Sequence, residues 1–243
     1  MTRVVIVTGS SRGIGAAIAK RLAKDGYAVC VNYRSNKQAA DAVVKAISAA
    51  GGKAIAVQAD VGDEAGVAQL FNITCTALGA ITALVNCAGI QPKAAAVAVA
   101  ELPLAVLADV YRTNVFGTML CCREAMKHIQ PGGAMVTISS EAARFGGNQM
   151  CAYASSKAAV NTFTIGFARE AAKAGIRVNA VSPGVIDTEI HRDATPERLQ
   201  ALRQSIPLGR MGTADEVAAV VAWLLSDESS YVSGAIVPVA GGR

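Results

Sequence analysis

A chain of 243 residues that is 52% hydrophobic and 17% charged has ample apolar surface for a sizeable core and too little charge for long-range disorder. Its formal net charge is +5, yet the basic residues are scattered, with no Lys/Arg run and no aromatic interleaving; this argues against a nucleic-acid surface and leaves a few cations for one anionic ligand. Six cysteines without a C-x-x-C pair argue against a metal centre, and no apolar run approaches the roughly 18 residues that a membrane span needs. Free thiols in apolar segments and a start that runs straight into a strand, without a signal peptide, lead us to expect a cytoplasmic protein.

Taken in chain order, Val4–Thr8 reads as a short buried strand, and Ile14 to Lys24 as a helix with an apolar stripe at Ile14, Ile18 and Leu22. Ala28–Tyr33 is a second strand, Lys37–Ala50 a helix closed by Gly51 and Gly52, and Ala54–Ala59 a third strand. Asp63 is placed to cap a helix that runs to Gly79. Thr82–Asn86 is a strand. Pro103 suits the first turn of a helix reaching about Ile129, before the breakers Pro131, Gly132 and Gly133. Ala134–Ser139 is a strand, Gln149–Lys173 a long helix and Arg177–Ser182 a strand. Thr213 caps a helix to Leu225, and Pro238 puts the last strand, Ala235–Val239, at an edge or makes it end early. Strands alternating with helices predict an α/β fold: a doubly wound parallel sheet of about seven strands, with helices on both faces and right-handed crossovers. No composition break divides residues 1–243, so one domain is expected. The stretch from Gly184 to Gly212 reads as a long irregular insert, which in a compact domain is expected to be a functional lid.

The first strand enters its helix through Gly9-Ser10-Ser11-Arg12-Gly13-Ile14-Gly15. In a doubly wound sheet the ligand sits at the carboxyl ends of the strands, where strand order reverses. Gly9 permits a tight turn, Gly13 lets the backbone approach a pyrophosphate, and Gly15 lets helix and strand pack closely. The helix start offers free N–H groups and partial positive charge to phosphates. A mononucleotide P-loop is disfavoured because no Gly-Lys-Ser/Thr follows. Gly9-x-Ser11-x-Gly13 also fits the nucleophile elbow of a serine hydrolase, with Asp187 and His191 in chain order, although an elbow normally follows several strands.

The second strand ends Asn32-Tyr33-Arg34, with no acid to bond a ribose 2′-hydroxyl. Arg12 and Arg34 are instead placed to meet a 2′-phosphate, which favours NADP(H) over NAD(H) while leaving NAD(H) possible. Tyr153 and Lys157 share one helix face, one turn apart. An ammonium near a phenol lowers its pKa from about 10 and makes an acid–base group without histidine.

Thr8-Gly9, Gly13-Ile14-Gly15, Asp60-Val61, Asn86-Cys87-Ala88-Gly89, Asn114, Ser140, Tyr153-x-x-x-Lys157 and Pro183-Gly184, in this order, resemble the short-chain dehydrogenases/reductases along essentially the full chain. The resemblance implies a Rossmann fold and hydride transfer between NADP(H) and a carbonyl or secondary alcohol. In it, Tyr153 donates the proton, Ser140 bonds the substrate oxygen, Lys157 holds the nicotinamide ribose, and Asn114 holds a water that relays protons to Lys157. Asp60 and Val61 flank the adenine. Asn86, Ala88 and Gly89 line the groove, with Pro183 and Gly184 beside it, and Thr188 bonds the carboxamide. The chain is similar to 3-oxoacyl-carrier-protein reductases and to glucose dehydrogenases. Against the first, the positions where those reductases often present Arg align with Pro131 and Ala174, with Lys127 and Lys173 close by. Arg192, Arg198, Arg203 and Arg210 in the insert suit either an anionic substrate or solvated helix turns. Relatives of this kind imply a homotetramer built through helix faces and the last strand, where Ala240 replaces a common Asp. A binding protein that senses NADP(H) without turnover is the alternative from another class.

Overall fold

The structure is a computed structural model and describes residues 3–189 and 195–243. The elements run β1 (Arg3–Val7), α1 (Gly13–Lys24), β2 (Tyr27–Tyr33), α2 (Lys37–Ala49), β3 (Ala54–Gln58), α3 (Glu64–Leu78) and β4 (Ala83–Asn86). Two short 3-10 turns, Lys93–Ala95 and Val99–Glu101, lead to α4 (Leu104–Tyr111), a π-helical segment (Arg112–Phe116) and α5 (Gly117–His128). Then come β5 (Ala134–Ile138), the short α6 (Ala142–Phe145), α7 (Cys151–Ala172), β6 (Arg177–Pro183), β7 (Ile186–Asp187), α8 (Pro196–Gln204), β8 (Gly212–Thr213), α9 (Ala214–Leu225) and β9 (Ile236–Val239).

The main sheet has seven strands in the order β3-β2-β1-β4-β5-β6-β9, all pairs parallel. Strand order reverses between β1 and β4, whose carboxyl ends are where a doubly wound sheet takes its ligand. The pleat of β1 explains why an unbroken apolar run is needed. Val5 and Val7 enter the cluster formed with Ile18 and Leu22 of α1, Val43 of α2 and Val221 of α9. Val4 and Ile6 face the other way, onto Leu70 and Phe71 of α3, Cys121 of α5 and Ala168 of α7. Both faces of the strand are covered, as in doubly wound sheets. Each such side chain contributes about 1.5–3 kcal/mol by leaving water.

The predicted caps are in place. Asp63 accepts from the Gly66 amide, and Thr213 and Glu216 form a reciprocal capping box. β9 pairs with β6 alone, so Pro238 sits on an edge where its missing N–H costs no ladder bond.

Two expectations need correction. The helix expected from Pro103 to Ile129 is interrupted at 112–116 by a π turn, a device common at functional sites. The insert is not irregular: β7 and β8 pair in parallel, Ile186 with Gly212 and Asp187 with Thr213, and α8 lies between them. This small ladder ties both ends of the insert to the end of β6. His191 and Arg192 lie outside the described residues.

Candidate active site

The cleft begins where β1 ends. Thr8 accepts from the amides of Cys87 and Ala88 at 3.0 and 3.1 Å, and so ties the end of β1 to the loop after β4. Gly9 follows with φ +62°, and a Cβ there would lie 2.7 Å from the Ala88 Cα. Gly13 (φ +54°) has nothing within 4 Å of a would-be Cβ, so its backbone faces open space. Gly15 is glycine for a different reason from the one expected: its Cβ would strike Gly9 O at 2.6 Å, within the turn itself. Arg12 flanks α1 without a side-chain cap, and no acid stands in the first turn, so the helix amides and their positive end remain available to an anion. Ile14 is partly buried against the core. A cleft of about 460 Å³ runs past Ser11, Arg12 and Gly13 toward Asn36, the cap of α2.

The end of β2 divides into scaffold and rim. Asn32 is buried; its Oδ1 accepts from the Gly9 amide at 3.1 Å, and its Nδ2 donates to Val57 O and Ala59 O at 3.3 and 3.1 Å. Tyr33 packs in the core. The Asn32 side chain therefore supports the turn and Tyr33 packs in the core, so neither side chain is free to reach into the cleft. Arg34 is exposed and carries the rim charge. Asp60, after β3, accepts from the Gly62 amide at 2.9 Å and pairs with Arg112 at 3.0 Å. Burial works against its ionisation, yet the Gly62 amide and the Arg112 guanidinium, with Arg34 adding, hold the carboxyl below the usual range. Val61 is buried, and a Cβ on Gly117 would lie 2.7 Å from its Cγ2.

On the other side of the switch point, Asn86 is buried and donates to Cys122 Sγ at 3.2 Å. Gly89 is exposed; a Cβ there would lie 3.3 Å from Lys157 Nζ and 3.4 Å from Asn114 Oδ1. Asn114 is fully buried in the π segment. It accepts from the Ile90 amide at 2.7 Å and donates to Ile90 O and Ser156 Oγ, each at 3.0 Å. Its side chain thus clamps the loop after β4 onto α7.

Ser140 follows β5 and is half-buried; its hydroxyl accepts from the Ala142 amide at 3.1 Å and lies near enough to Tyr153 to favour the phenolate. Burial raises the Tyr153 phenol above its ordinary value; the Ser140 hydroxyl opposes this and the neighbouring Cys87 adds to it. The expected lowering by Lys157 is absent. That ammonium is buried, donates to Ile138 O at 2.7 Å and stands 5.8 Å from the Tyr153 ring centroid. Burial pulls Lys157 down to about 8. A protonated lysine has three donors, so Nζ keeps donors for a ligand in the space over Gly89.

Pro183 ends β6 and its carbonyl accepts from the Glu141 amide at 3.0 Å. Gly184 allows close approach to the chain end, its would-be Cβ lying 2.8 Å from the Ala240 Cα. Thr188 is half-buried just past β7. Sequence reasoning missed Arg112 as the partner of Asp60 and Thr8 as the strand tie, because both depend on contacts distant in sequence. Of the hydrolase alternative, His191 is outside the described residues, while His128 is engaged with Cys75 and Glu124 between α3 and α5.

A family model described as Enoyl-(Acyl carrier protein) reductase matches residues 9–243. The chain is 44% identical over 247 residues to an uncharacterized oxidoreductase, YgfF, of Escherichia coli (strain K12), covering 99% of both proteins. It is 37% identical over 244 residues to the 3-oxoacyl-[acyl-carrier-protein] reductase FabG of Staphylococcus aureus, covering 100% of this chain and 98% of that one. Among solved structures, a short chain dehydrogenase from Burkholderia cenocepacia J2315 in complex with NADP superposes with a TM-score of 0.92 at 37% identity, over 100% of this chain and 98% of the other.

Proposed function

The chain belongs to the short-chain dehydrogenase/reductase family of oxidoreductases, and from that premise we propose that it reduces the carbonyl of a small molecule with NADP(H) through Ser140, Tyr153, Lys157 and Asn114. The observation that carries this reading is geometric: Tyr153 and the buried Lys157 Nζ on α7 stand 5.8 Å apart, ring centroid to nitrogen, beside Gly89, whose would-be Cβ lies 3.3 Å from that Nζ.

The residues present fit a dinucleotide. The uncapped start of α1, the open space at Gly13 and the glycine over Lys157 Nζ leave room and donors for a pyrophosphate and a ribose. Gly9, Ser11, Gly13, Ile14 and Gly15 would hold the pyrophosphate end, and Asp60, Val61, Asn86, Ala88 and Gly89 the groove. Pro183, Gly184 and Thr188 would lie at the nicotinamide end. Arg12 and Arg34 favour a 2′-phosphate, and the NADP complex of the Burkholderia relative supports that preference. When bound, the coenzyme supplies the hydride and, once oxidised, a positive charge beside Tyr153.

The protein's own part is proton management. The Ser140 hydroxyl donates to the substrate oxygen as it gains charge, and Tyr153 gives that oxygen its proton. Lys157, held by Ile138 O, keeps a buried cation over Gly89, where its remaining donors would meet the ribose. Asn114 fixes the loop and helix between which these groups meet. Residues 184–212, pinned by β7 and β8, serve as the lid.

NADPH oxidation followed with diketones, quinones, sugars and acetoacetyl thioesters tests this reading. Turnover with at least one carbonyl, lost in Tyr153→Phe, supports it. Binding of NADPH without turnover of any carbonyl would point to a sensor and overturn it. Preference for acetoacetyl thioesters would favour a 3-oxoacyl carrier-protein reductase, the second reading, which rests on the FabG relative.

A cytoplasmic setting belongs to the same proposal and rests on six free cysteines. So does a homotetramer: Leu104 and Phe116 near α4, Ile165 on α7 and Trp223 on α9 are exposed apolar side chains on helix faces. Light scattering showing a monomer would remove that part.

A further inference from the structure

One side-chain cluster stands apart from the cleft. The carboxyl ends of α3 and α5 lead into β4 and β5, so residues there lie at the opposite edge of the sheet from the candidate site. Cys75 Sγ of α3 is 3.5 Å from His128 Nδ1 of α5. The other ring nitrogen, Nε2, is 3.3 Å from Glu124 Oε1. Lys127 Nζ donates to the second carboxylate oxygen of Glu124 at 2.7 Å. The Phe71 ring, 5.4 Å from the imidazole between centroids, fixes its plane from the α3 side. Cys75 is half-buried, whereas Cys30, Cys121 and Cys122 are buried.

We propose that Cys75, His128 and Glu124 form a second reactive site, a base-assisted thiol that exchanges with low-molecular-weight disulfides. The spacing is that of a nucleophile, a base in hydrogen-bond reach and a third group that orients the base. Among the described residues no group of three His, Cys, Asp or Glu side chains is placed to hold a metal ion, so a relay is the better fit. Burial pushes the Cys75 thiol up, so at rest it is protonated and needs a base. Lys127 above all, against burial and together with His128, holds Glu124 ionised. A carboxylate there accepts Nε2–H and leaves Nδ1 free to take a proton.

In the exchange, Cys75 sulfur forms a bond to one sulfur of the disulfide, whose own S–S bond breaks. His128 removes the thiol proton and returns it to the departing thiolate. The products are a mixed disulfide on Cys75 and one molecule of reduced thiol; the Cys75 thiolate pair forms the new S–S bond, and the pair of the broken bond leaves with the departing sulfur.

The test uses the full chain, bis(2-hydroxyethyl) disulfide as probe and peptide mass spectrometry to follow each cysteine. It is independent of the proposed reductase activity. Cys75 is expected to form the mixed disulfide, and His128→Gln to slow it about tenfold while exposed Cys151 keeps its rate. No adduct on Cys75, or a rate indifferent to His128→Gln, overturns the proposal. Cys30, Cys121 and Cys122 report on folding; if they react in His128→Gln, Glu124→Gln decides instead. Slowing of about threefold or more at Cys75 in that variant then supports the site, and an unchanged rate overturns it.

Discussion

The two halves of the cleft are built on opposite principles. The half at the end of β1 is made by leaving side chains out: Gly9 lies against Ala88 and Gly15 against Gly9, while Gly13 faces empty space. The half at the ends of β5 and α7 is made by burying groups that water would normally solvate, namely Asn114, Lys157 and much of Tyr153. A side chain added to the first half is a steric and conformational error. In the second half, removing the buried Lys157 charge relieves a desolvation cost, whereas removing Asn114 would leave its buried partners unpaired. Stability and activity should therefore respond together in the first half and in opposite directions at Lys157.

Tyr153→Phe should give the largest change, about a thousandfold loss of NADPH-dependent carbonyl reduction, because proton donation disappears while the cleft keeps its shape. NADPH binding followed by fluorescence should survive; loss of both would mean that the phenol also builds the site. Next, Gly9→Ala should destabilise the protein by about 2–4 kcal/mol, combining a left-handed backbone with a backbone clash. Gly13→Ala, with the same strain but no clash, should cost about 1 kcal/mol while still weakening coenzyme binding. Denaturant melts of the two variants check the difference.

Lys157→Met should abolish reduction yet raise stability by about 1–3 kcal/mol, since a buried ammonium pulled down to about 8 is removed. The sign follows from linkage. Below pH 8 the folded state must carry that charge in a poor environment, so the penalty is full there and fades as pH rises from about 8 toward the ordinary lysine value of 10.5. A melt that shows Lys157→Met less stable than the parent at pH 7 would contradict this picture. The same titration should make kcat/KM for carbonyl reduction decline as pH passes about 8. The smallest effect is expected at the rim: removing Arg12 or Arg34 should weaken NADPH about tenfold and NADH little, as a 2′-phosphate loses one charge-assisted partner.

What could be read from the sequence follows the same division. The glycine turn, the buried strands and the caps Asp63 and Thr213 are local, and local chemistry is enough to find them. Asn32 looked like a ligand contact because it sits near a strand end; only the assembled sheet reveals that its amide spans Gly9, Val57 and Ala59. Tyr153 and Lys157 were correctly set on one face, but spacing along a helix does not say where a long side chain ends. Lys157 Nζ goes to Ile138 O, and burial rather than that charge dominates the phenol. The π turn left no mark, since the apolar pattern continues on both sides of it.

That turn has a consequence for anyone editing the gene. The segment 112–116 holds one residue more than a regular coil would need, and Asn114 sits inside it. A π turn takes up its extra residue within one widened coil, so deleting a single codon there would regularise the helix and leave the downstream register in phase. Cys121 and Cys122 would stay in the core, while the coil that holds Asn114 would change and the loop bearing Gly89 would lose its clamp. The surplus residue thus serves the site rather than the core: its omission should cost activity more than stability.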